Sequence, residues 1–369
     1  MQIGCVKEIK KHEYRIAMTP ANAASYVAHG HRVLIETGAG VSAGFIDEEY
    51  RSAGAEITDA DSIWQSCDMI VKVKEPLAPE YPKMREGQII YTFFHLAADR
   101  RLTEELLRSG AISVAYETLT DDKGGLPLLK PMSEIAGRLS LQTGARCLEK
   151  PNGGSGILLS GVPGVRKAKV LILGAGTVGA NAARIAVGMG ADVTVMDISL
   201  ERLTYLDELY GASVQTLYST EMEIREQLAT ADLTIGCVLI PGAAAPKLIK
   251  KSYLKDMKAG SVIVDVAVDQ GGCCETTKVT YHDDPTFTVD GVIHYCVANM
   301  PGAVPYTSSL ALTNATIYYG LLIADLGVEA SCGRQPGIRN AINTYRGKLT
   351  IEAVAREFGA VYTDLQSLF

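Results

Sequence analysis

The stretch Lys169-Val-Leu-Ile-Leu-Gly174-Ala-Gly176-Thr-Val-Gly179 decides the fold of the region around it. A continuous apolar run leads directly into a G-x-G-x-x-G pattern, and a helical pattern follows. We expect Gly174 to make a tight turn, Gly176 to let a pyrophosphate approach the backbone, and Gly179 to let the helix pack against the strand. Because a helix N-terminus offers N–H groups and a positive dipole end, the pattern predicts a dinucleotide site.

An acidic residue at the end of the next strand narrows the choice of dinucleotide. The strand predicted at 192–196 is followed by Asp197. A carboxylate there can accept hydrogen bonds from ribose hydroxyls and would repel a 2′-phosphate, so the sequence predicts NAD. A second glycine run, Gly38-Ala-Gly40-Val-Ser-Ala-Gly44, has the spacing G-x-G-x-x-x-G and starts no clear helix. We interpret it as an ordinary turn.

Length and composition indicate a soluble protein of two domains. The chain has 369 residues, 47% of them hydrophobic and 21% charged, and this length exceeds one ordinary core. Acidic and basic residues are mixed along the chain, with a net charge of −7, which argues against a nucleic-acid partner. The apolar runs are strand-sized and the first residues show no signal-peptide pattern, so we expect a cytoplasmic protein without a membrane partner.

Eight cysteines occur without a Cys-x-x-Cys pair, so the sequence predicts neither a structural zinc site nor a redox motif. We expect no metal and eight reduced thiols, consistent with a reducing compartment. The cysteines are Cys5, Cys67, Cys147, Cys237, Cys273, Cys274, Cys296 and Cys332.

Strand-like and helical runs alternate along the chain, which predicts an α/β fold with parallel sheets covered on both faces. The predicted strands are 31–36, 68–73, 88–93, 111–116, Lys169–Leu173, 192–196, 232–238 and 261–266, and the predicted helices include 21–29, 59–65, 102–109 and 133–149. A loop at 120–131 and a glycine-rich stretch at 152–164 mark the passage into a second domain. A long apolar helix is predicted at 305–327 and further helices after it. Periodicity leaves open which domain these last helices join.

Three side chains that could carry chemistry follow predicted strands in the first part of the chain. His95 comes just after 88–93, and an imidazole can exchange a proton near neutral pH. The alternative is a half-buried structural histidine. Arg15 can grip a carboxylate through two N–H groups, and Lys74 offers a compact positive charge. The alternative for both is an ordinary surface cation.

Further candidates lie after the glycine motif. Asp269 follows the strand 261–266 and could either relay a proton or stabilise a turn. Asn299 and Met300 precede a Pro-Gly pair in a loop that could cover a nicotinamide.

These contexts together resemble the bacterial alanine dehydrogenase family over about residues 1–330. The longest similar stretch is His294-Tyr-Cys-Val-Ala-Asn299-Met300-Pro-Gly-Ala-Val-Pro305. The other similar stretches are 4–8, 15–20, 72–76, 94–97, 131–138, 174–179, 265–272 and 311–316.

The resemblance implies reversible oxidative deamination of L-alanine to pyruvate and ammonium with formation of NADH. It implies that Arg15 and Lys74 hold the substrate carboxylate and keto oxygen. It also implies that His95 and Asp269 act as acid and base while imine and carbinolamine interconvert. The cofactor-binding set it implies is Ser133, Gly174, Gly176, Thr177, Val178, Gly179, Asp197, Arg202, Val238, Leu239, Val268, Asp269, Asn299 and Met300.

The family's architecture implies two Rossmann-like doubly wound domains, with the substrate domain built from both chain ends. The substrate domain would comprise 1–130 plus 306–369, and the NAD-binding domain 131–305. The resemblance also implies a homo-oligomer, most simply a hexamer. The chain departs from the family at Phe93, where tyrosine is frequent, and at Ala244 and Tyr306, where lysine and arginine are common.

Other classes of function remain as alternatives. One is a related dehydrogenase of the same superfamily, of the saccharopine type, or the soluble NAD-binding part of a transhydrogenase. Another is a non-catalytic NAD-binding redox sensor. The joint presence of Arg15, Lys74, His95 and Asp269 argues against the sensor and favours an enzyme.

Overall fold

The computed structural model of the chain describes residues 1–238 and 245–369. The backbone divides into two compact units. Unit 1 comprises Met1–Met132 and Val304–Phe369, and unit 2 comprises Ser133–Ala303. Unit 1 is therefore built from both ends of the chain.

Unit 1 begins with alternating strands and helices. Thr19 caps the first helix by accepting from the Asn22 N–H, and Pro20 lies in the first turn, where no helical N–H is needed. The strands β1 to β6 are Gln2–Cys5, Arg32–Glu36, Glu56–Thr58, Met69–Val71, Ile89–Thr92 and Ile112–Ala115. The helices α1 to α4 are Pro20–Ala28, Asp47–Ser52, Ala60–Ser66 and Arg100–Ser109.

Unit 2 follows with the same alternation. Helix α5, Lys130–Cys147, leads into it and starts three residues before the predicted 133 because Pro131 is tolerated in a first helical turn. The strands β7 to β13 are Lys169–Leu173, Asp192–Asp197, Val214–Tyr218, Leu233–Gly236, Val262–Asp265, Thr286–Val289 and Val292–Tyr295. The helices α6 to α8 are Thr177–Gly188, Leu200–Tyr210 and Glu221–Thr230.

The chain then returns to unit 1. It adds α9 (Pro305–Arg334), α10 (Ile338–Ala341), β14 (Ile342–Tyr345), β15 (Lys348–Leu349) and α11 (Glu352–Phe358). The expectation that this tail is wholly helical is wrong, because β14 pairs antiparallel with β6 and β15 with β14. Strand β6, the partner of β14, lies over 200 residues earlier in the chain, so the local sequence pattern does not indicate the pairing.

The two sheets share one topology. The order β15-β14-β6-β5-β4-β1-β2-β3 in unit 1 contains the parallel core 3-2-1-4-5-6 of a doubly wound sheet. The order β12-β13-β11-β10-β7-β8-β9 in unit 2 repeats it, with β12 antiparallel at the edge. The prediction of an α/β protein with two Rossmann-like sheets is confirmed.

Helix α9 is a core helix of unit 1. Among the described residues it is the one helix long and apolar enough to span a membrane by composition. Its polar groups nevertheless bond within the unit: Ser309 accepts from the Ile16 N–H, and the Thr316 carbonyl accepts from the Tyr91 hydroxyl. The predicted end at 327 coincides with a break at Gly327, whose φ is 78° and ψ 169°, after which the helix resumes.

Gly320 of α9 is a position where a side chain cannot fit. An added Cβ would lie 2.0 Å from the Tyr26 hydroxyl oxygen, and Tyr26 is only 2% exposed. We expect Gly320→Ala to lower the free energy of unfolding by about 1–3 kcal/mol, which is typical of an overpacked core. Urea unfolding followed by circular dichroism measures the change.

Gly333→Ala in the same helix is the matched control. Gly333 is exposed, and apart from its chain neighbours and the backbone of its own helix no atom of the described residues lies within 4 Å of an added Cβ. Alanine has the higher helix propensity, so this variant should be neutral or more stable by up to about 1 kcal/mol. Equal destabilisation by the two substitutions would contradict the packing argument.

Candidate active site

Each unit places some of its candidate residues at the point where the strand order reverses. In unit 1 the central neighbours are β1 and β4, which lead into Arg15 and Lys74. In unit 2 they are β7 and β10, which lead into the Gly174 turn and Val238. Crevices at the carboxyl ends of such strands are where doubly wound sheets bind ligands.

Arg15 is held by a carboxylate two residues before it. The Nε and Nη2 atoms donate to the two oxygens of Glu13 at 2.6 and 2.5 Å, and the Arg15 N–H donates to the same carboxylate at 3.1 Å. Nη1 lies 3.0 Å from the Met132 sulfur, a weak acceptor. Burial alone would raise the pKa of the Glu13 carboxyl, but the charge and hydrogen bonds of Arg15 lower it. The bidentate pair fixes the direction of the guanidinium.

Lys74 is held through its backbone. One Glu8 oxygen accepts from the Val73 and Lys74 N–H groups at 2.6 and 3.3 Å. The other lies 3.3 Å from the ammonium of Lys72, which also donates to Glu80 at 3.0 Å. Lys72 is 1% exposed, so a buried cation between two carboxylates supports the strand end that carries Lys74.

His95 occupies a left-handed turn with φ 52° and ψ 43°. One Glu117 oxygen accepts from the His95 N–H at 2.6 Å and from the Phe94 N–H at 3.1 Å, which stabilises this uncommon conformation. The exposed imidazole stacks on the Phe93 ring, with centroids 5.9 Å apart. The Phe93 N–H donates to the Val73 carbonyl, so the segments carrying His95 and Lys74 are joined.

The glycine motif adopts the backbone roles that its spacing indicates. Gly174 has φ 106°, which other residues rarely accept. A Cβ on Gly179 would lie 1.8 Å from the Gly174 carbonyl oxygen, so only glycine lets α6 approach the turn. At Gly176 the nearest atom to an added Cβ is Nη1 of Arg202, at 3.6 Å. The turn thus leaves an open cradle beside a guanidinium, with Thr177 and Val178 in the first turn of α6.

Asp197 bonds to the glycine turn itself. Its two oxygens accept from the Ala175 N–H at 2.6 Å and from the Ser199 N–H at 2.8 Å. Each oxygen keeps a second lone pair, so the carboxylate can still accept from ribose hydroxyls.

Asp269 lies in a 3-10 turn, Val268–Gln270, that follows β11. Its side chain is exposed, whereas Asp265 at the end of β11 is 1% exposed. Asp265 accepts from the Ala267 and Cys273 N–H groups at 3.1 and 2.9 Å and thereby closes the loop that carries Asp269.

The remaining predicted residues lie in unit 2. Ser133 is half-buried near the start of α5, and Val268 is 4% exposed. Asn299 has φ 63° and precedes a 3-10 turn, Met300–Ala303. Leu239 and Ala244 lie outside the described residues. Unit 1 thus holds Arg15, Lys74 and His95, and unit 2 holds Asp269 and the predicted cofactor set that the structure describes.

Sequence reasoning missed the carboxylates that hold these residues. Glu8 and Glu117 follow β1 and β6 by three and two residues, Asp265 is the last residue of β11, and Glu13 lies two residues before Arg15. Three of the four, all except Glu117, fall within or beside stretches already singled out. An acidic residue at or shortly after the end of a buried strand was the available signal for Glu8, Glu117 and Asp265.

Two doubly wound sheets, one carrying a glycine turn of this geometry, define a dinucleotide-binding α/β protein. Residues 4–136 match the family alanine dehydrogenase/PNT, N-terminal domain, and residues 140–352 match alanine dehydrogenase/PNT, C-terminal domain. The chain belongs to the alanine dehydrogenase/PNT family.

Individual relatives agree with this assignment. The chain is 52% identical to alanine dehydrogenase from Halomonas elongata over 369 residues, covering 100% of both chains. A solved L-alanine dehydrogenase superposes with a TM-score of 0.95 at 50% identity, covering 97% of this chain and 99% of the other. The transhydrogenase from Sinorhizobium meliloti shares the fold at a TM-score of 0.83 and 23% identity, covering 96% and 100%.

Phe93 and Tyr306, where the chain departs from the family, each pack against another aromatic ring. Phe93 is 3% exposed and meets Tyr116 edge to face, with centroids 5.0 Å apart. Tyr306 is 56% exposed and stacks on Phe45 at 5.5 Å.

Lys74 should titrate at a lower pH than an ordinary lysine. Burial, and after it the positive charge of Arg15, lowers the pKa of its ammonium. Because the unfolded chain would keep this proton to higher pH, charged Lys74 destabilises the fold at low pH. The penalty begins to fall as the pH rises through the folded-state pKa and is gone above the pKa of the unfolded chain. Competitive acylation read by mass spectrometry, residue by residue, measures the titration.

Lys250 is the internal reference for this measurement. Its pairing with Glu221 raises the pKa of its ammonium. The reactivity of Lys74 should therefore reach its half-maximum at lower pH than that of Lys250. The reverse order would show that Arg15 and burial do not govern Lys74.

Proposed function

We propose that this chain is an NAD-dependent L-alanine dehydrogenase that converts L-alanine, water and NAD reversibly to pyruvate, ammonium and NADH. The observation that carries the proposal is a sequence identity of 52% and 51% to two alanine dehydrogenases over 369 and 368 residues. The presence of Arg15, Lys74, His95 and Asp269 supports it. Saccharopine-type and transhydrogenase functions have weaker support, since the transhydrogenase likeness, at 23% identity, concerns the fold alone.

Arg15 and Lys74 are proposed to bind the substrate carboxylate and keto oxygen. Glu13 fixes one side of the Arg15 guanidinium, and Nη1 lies 3.0 Å from the Met132 sulfur, a weaker acceptor than a carboxylate. Burial, and after it the positive charge of Arg15, lowers the pKa of Lys74. An anionic substrate would relieve the repulsion between these two cations, which is a physical reason for selecting α-keto and α-amino acids.

His95 and Asp269 are proposed as the acid and base. Deamination needs protons moved at the substrate oxygen and nitrogen, and both side chains are exposed groups on turns held by carboxylates. His95 belongs to unit 1 and Asp269 to unit 2, so the proposal assigns one of these two groups to each unit.

The residues of unit 2 fit an NAD molecule. The open cradle at Gly176 and the N-terminus of α6 suit a pyrophosphate, Asp197 suits the ribose hydroxyls, and Arg202 lies beside the cradle. Bound NAD would accept the hydride from the substrate. Ser133, Val238, Leu239, Val268, Asn299 and Met300 complete the proposed binding set.

The wider biology is proposed from the family. Residues 1–130 with 306–369 would form the substrate domain and 131–305 the NAD-binding domain. The protein would act in the cytoplasm as a homohexamer, without nucleic-acid or membrane partners.

The proposal predicts turnover with L-alanine and NAD, and lower efficiency with NADP. A 2′-phosphate would face the Asp197 carboxylate, and like charges in such a position cost on the order of several kcal/mol. The absorbance of NADH and NADPH gives kcat/KM for both coenzymes. Glycine, L-serine and saccharopine are assayed separately as alternative substrates. Asp197→Ala should narrow the coenzyme preference.

Asp192→Ala is the matched control, because Asp192 is an exposed acid at the opposite end of the same strand. It should keep the preference of the parent. Equal efficiency with NADP would remove Asp197 from the ribose, and faster turnover of saccharopine than of L-alanine would favour the rival dehydrogenase.

His95→Ala and Asp269→Asn should each lower kcat by roughly 100-fold or more, the usual size of an acid–base contribution. Both should still bind NADH, because most of the proposed coenzyme contacts lie at the Gly174 turn and at Asp197 and few depend on Asp269. Steady-state assays with L-alanine measure kcat, and a fluorescence titration measures the affinity for NADH. Asp207→Asn, at an exposed acid on α7, should leave both unchanged. A folded, NADH-binding variant with the parent rate would disprove the role given to that residue.

A further inference from the structure

The loop that carries Asp269 is hydrogen-bonded along both of its edges. Along its amide edge, where the backbone N–H groups point, the Asp265 carboxylate accepts from Ala267, Cys273 and Cys274 at 3.1, 2.9 and 3.3 Å. The Thr277 hydroxyl also donates to this carboxylate. A buried charge therefore gathers the two ends of the loop.

The carbonyl edge of the loop faces residues 245–249. The Ala245 N–H donates to the Gln270 carbonyl and the Ile249 N–H to the Cys273 carbonyl, both at 3.0 Å. The Lys247 ammonium donates to the other three carbonyls of this edge. They are those of Gly271, of Gly272 at 2.9 Å and of Cys274 at 3.2 Å. Five consecutive carbonyls, from 270 to 274, thus bond to one short segment.

Lys247 is the member of this arrangement that bonds through its side chain. An ammonium has three N–H donors, and here each has a carbonyl. Gly271 and Gly272 have φ of 88° and 77°, so the loop relies on conformations that glycine accepts and that need external support. Without the ammonium, these carbonyls would turn to water and the loop would lose its defined course.

The side chain of Asp269 depends on that course. Within the described part of the chain its carboxylate accepts no hydrogen bond, and it is exposed. Its location is therefore set by the backbone of the loop alone. A shift of about 1 Å in a reacting group can cost on the order of 100-fold in rate.

We propose that Lys247 is a positioning residue for Asp269, fixing the loop from its carbonyl edge while Asp265 fixes the amide edge. This inference rests on the acid–base role proposed for Asp269. Lys247 acts through the loop and touches no reacting group.

The test compares Lys247→Met, Lys247→Arg and the control Lys251→Met in the full-length protein. Lys247→Met should lower kcat for L-alanine roughly tenfold to 100-fold, with NADH affinity within about threefold of the parent. Lys247→Arg keeps a cation with N–H donors and should restore most of the rate. Lys251 is exposed and lies just beyond the segment, so its replacement should leave kcat unchanged.

A double variant separates positioning from general support. In the Asp269→Asn background, Lys247→Met should cause no further loss of kcat, because the group that it positions is already disabled. A full second loss would overturn the inference, as would a parent-like kcat for Lys247→Met beside an impaired Asp269→Asn. A parent-like Asp269→Asn would instead overturn the acid–base role itself, and the two failures are thereby distinguished.

Discussion

The candidate site depends on carboxylates that accept backbone N–H groups beyond the ends of parallel strands. Where a strand leaves its sheet, its amides lose their ladder partners, and a buried N–H without an acceptor costs about 1–3 kcal/mol. Glu8 receives two such amides beside Lys74, Glu117 receives two at His95, and Asp265 receives three around Asp269. In each case the candidate functional side chain projects from backbone that a neighbouring carboxylate holds in place.

Buried carboxylates in turn need cations, and this requirement links stability to the site. Lys72 lies between Glu8 and Glu80, and Arg15 forms a bidentate pair with Glu13. Removing one partner of a buried pair leaves an uncompensated charge and costs about 3–5 kcal/mol. The guanidinium that would meet the substrate is consequently also a structural member of unit 1, so loss of activity at this position must be read beside a measurement of stability.

The sequence was informative where the determining interactions are local. The turn at Gly174 is decided within the stretch 169–179, because its strand, its glycines and its helix are contiguous, and its geometry agrees with the prediction. The bonds of Glu8 and Glu117 were not foreseen because they join residues far apart: Glu8 and Lys74 are separated by 66 positions, Glu117 and His95 by 22. The edge strands β14 and β15 were missed for the same reason, since β14 pairs with β6, which lies over 200 residues earlier in the chain, and β15 pairs with β14.

The burial of charge in unit 1 bears on the choice between an enzyme and a redox sensor. A sensor of NAD needs the glycine turn and Asp197, all of which lie in unit 2. It has no use for Arg15 at 3% exposure or for a Lys74 whose pKa is lowered by burial and by the neighbouring guanidinium. Buried pairs are often no more stable than apolar residues of the same volume, so stability alone does not explain keeping them. The anionic ligand proposed for Arg15 and Lys74 would explain them, because it would offset the repulsion between these two cations, which together with burial lowers the pKa of Lys74.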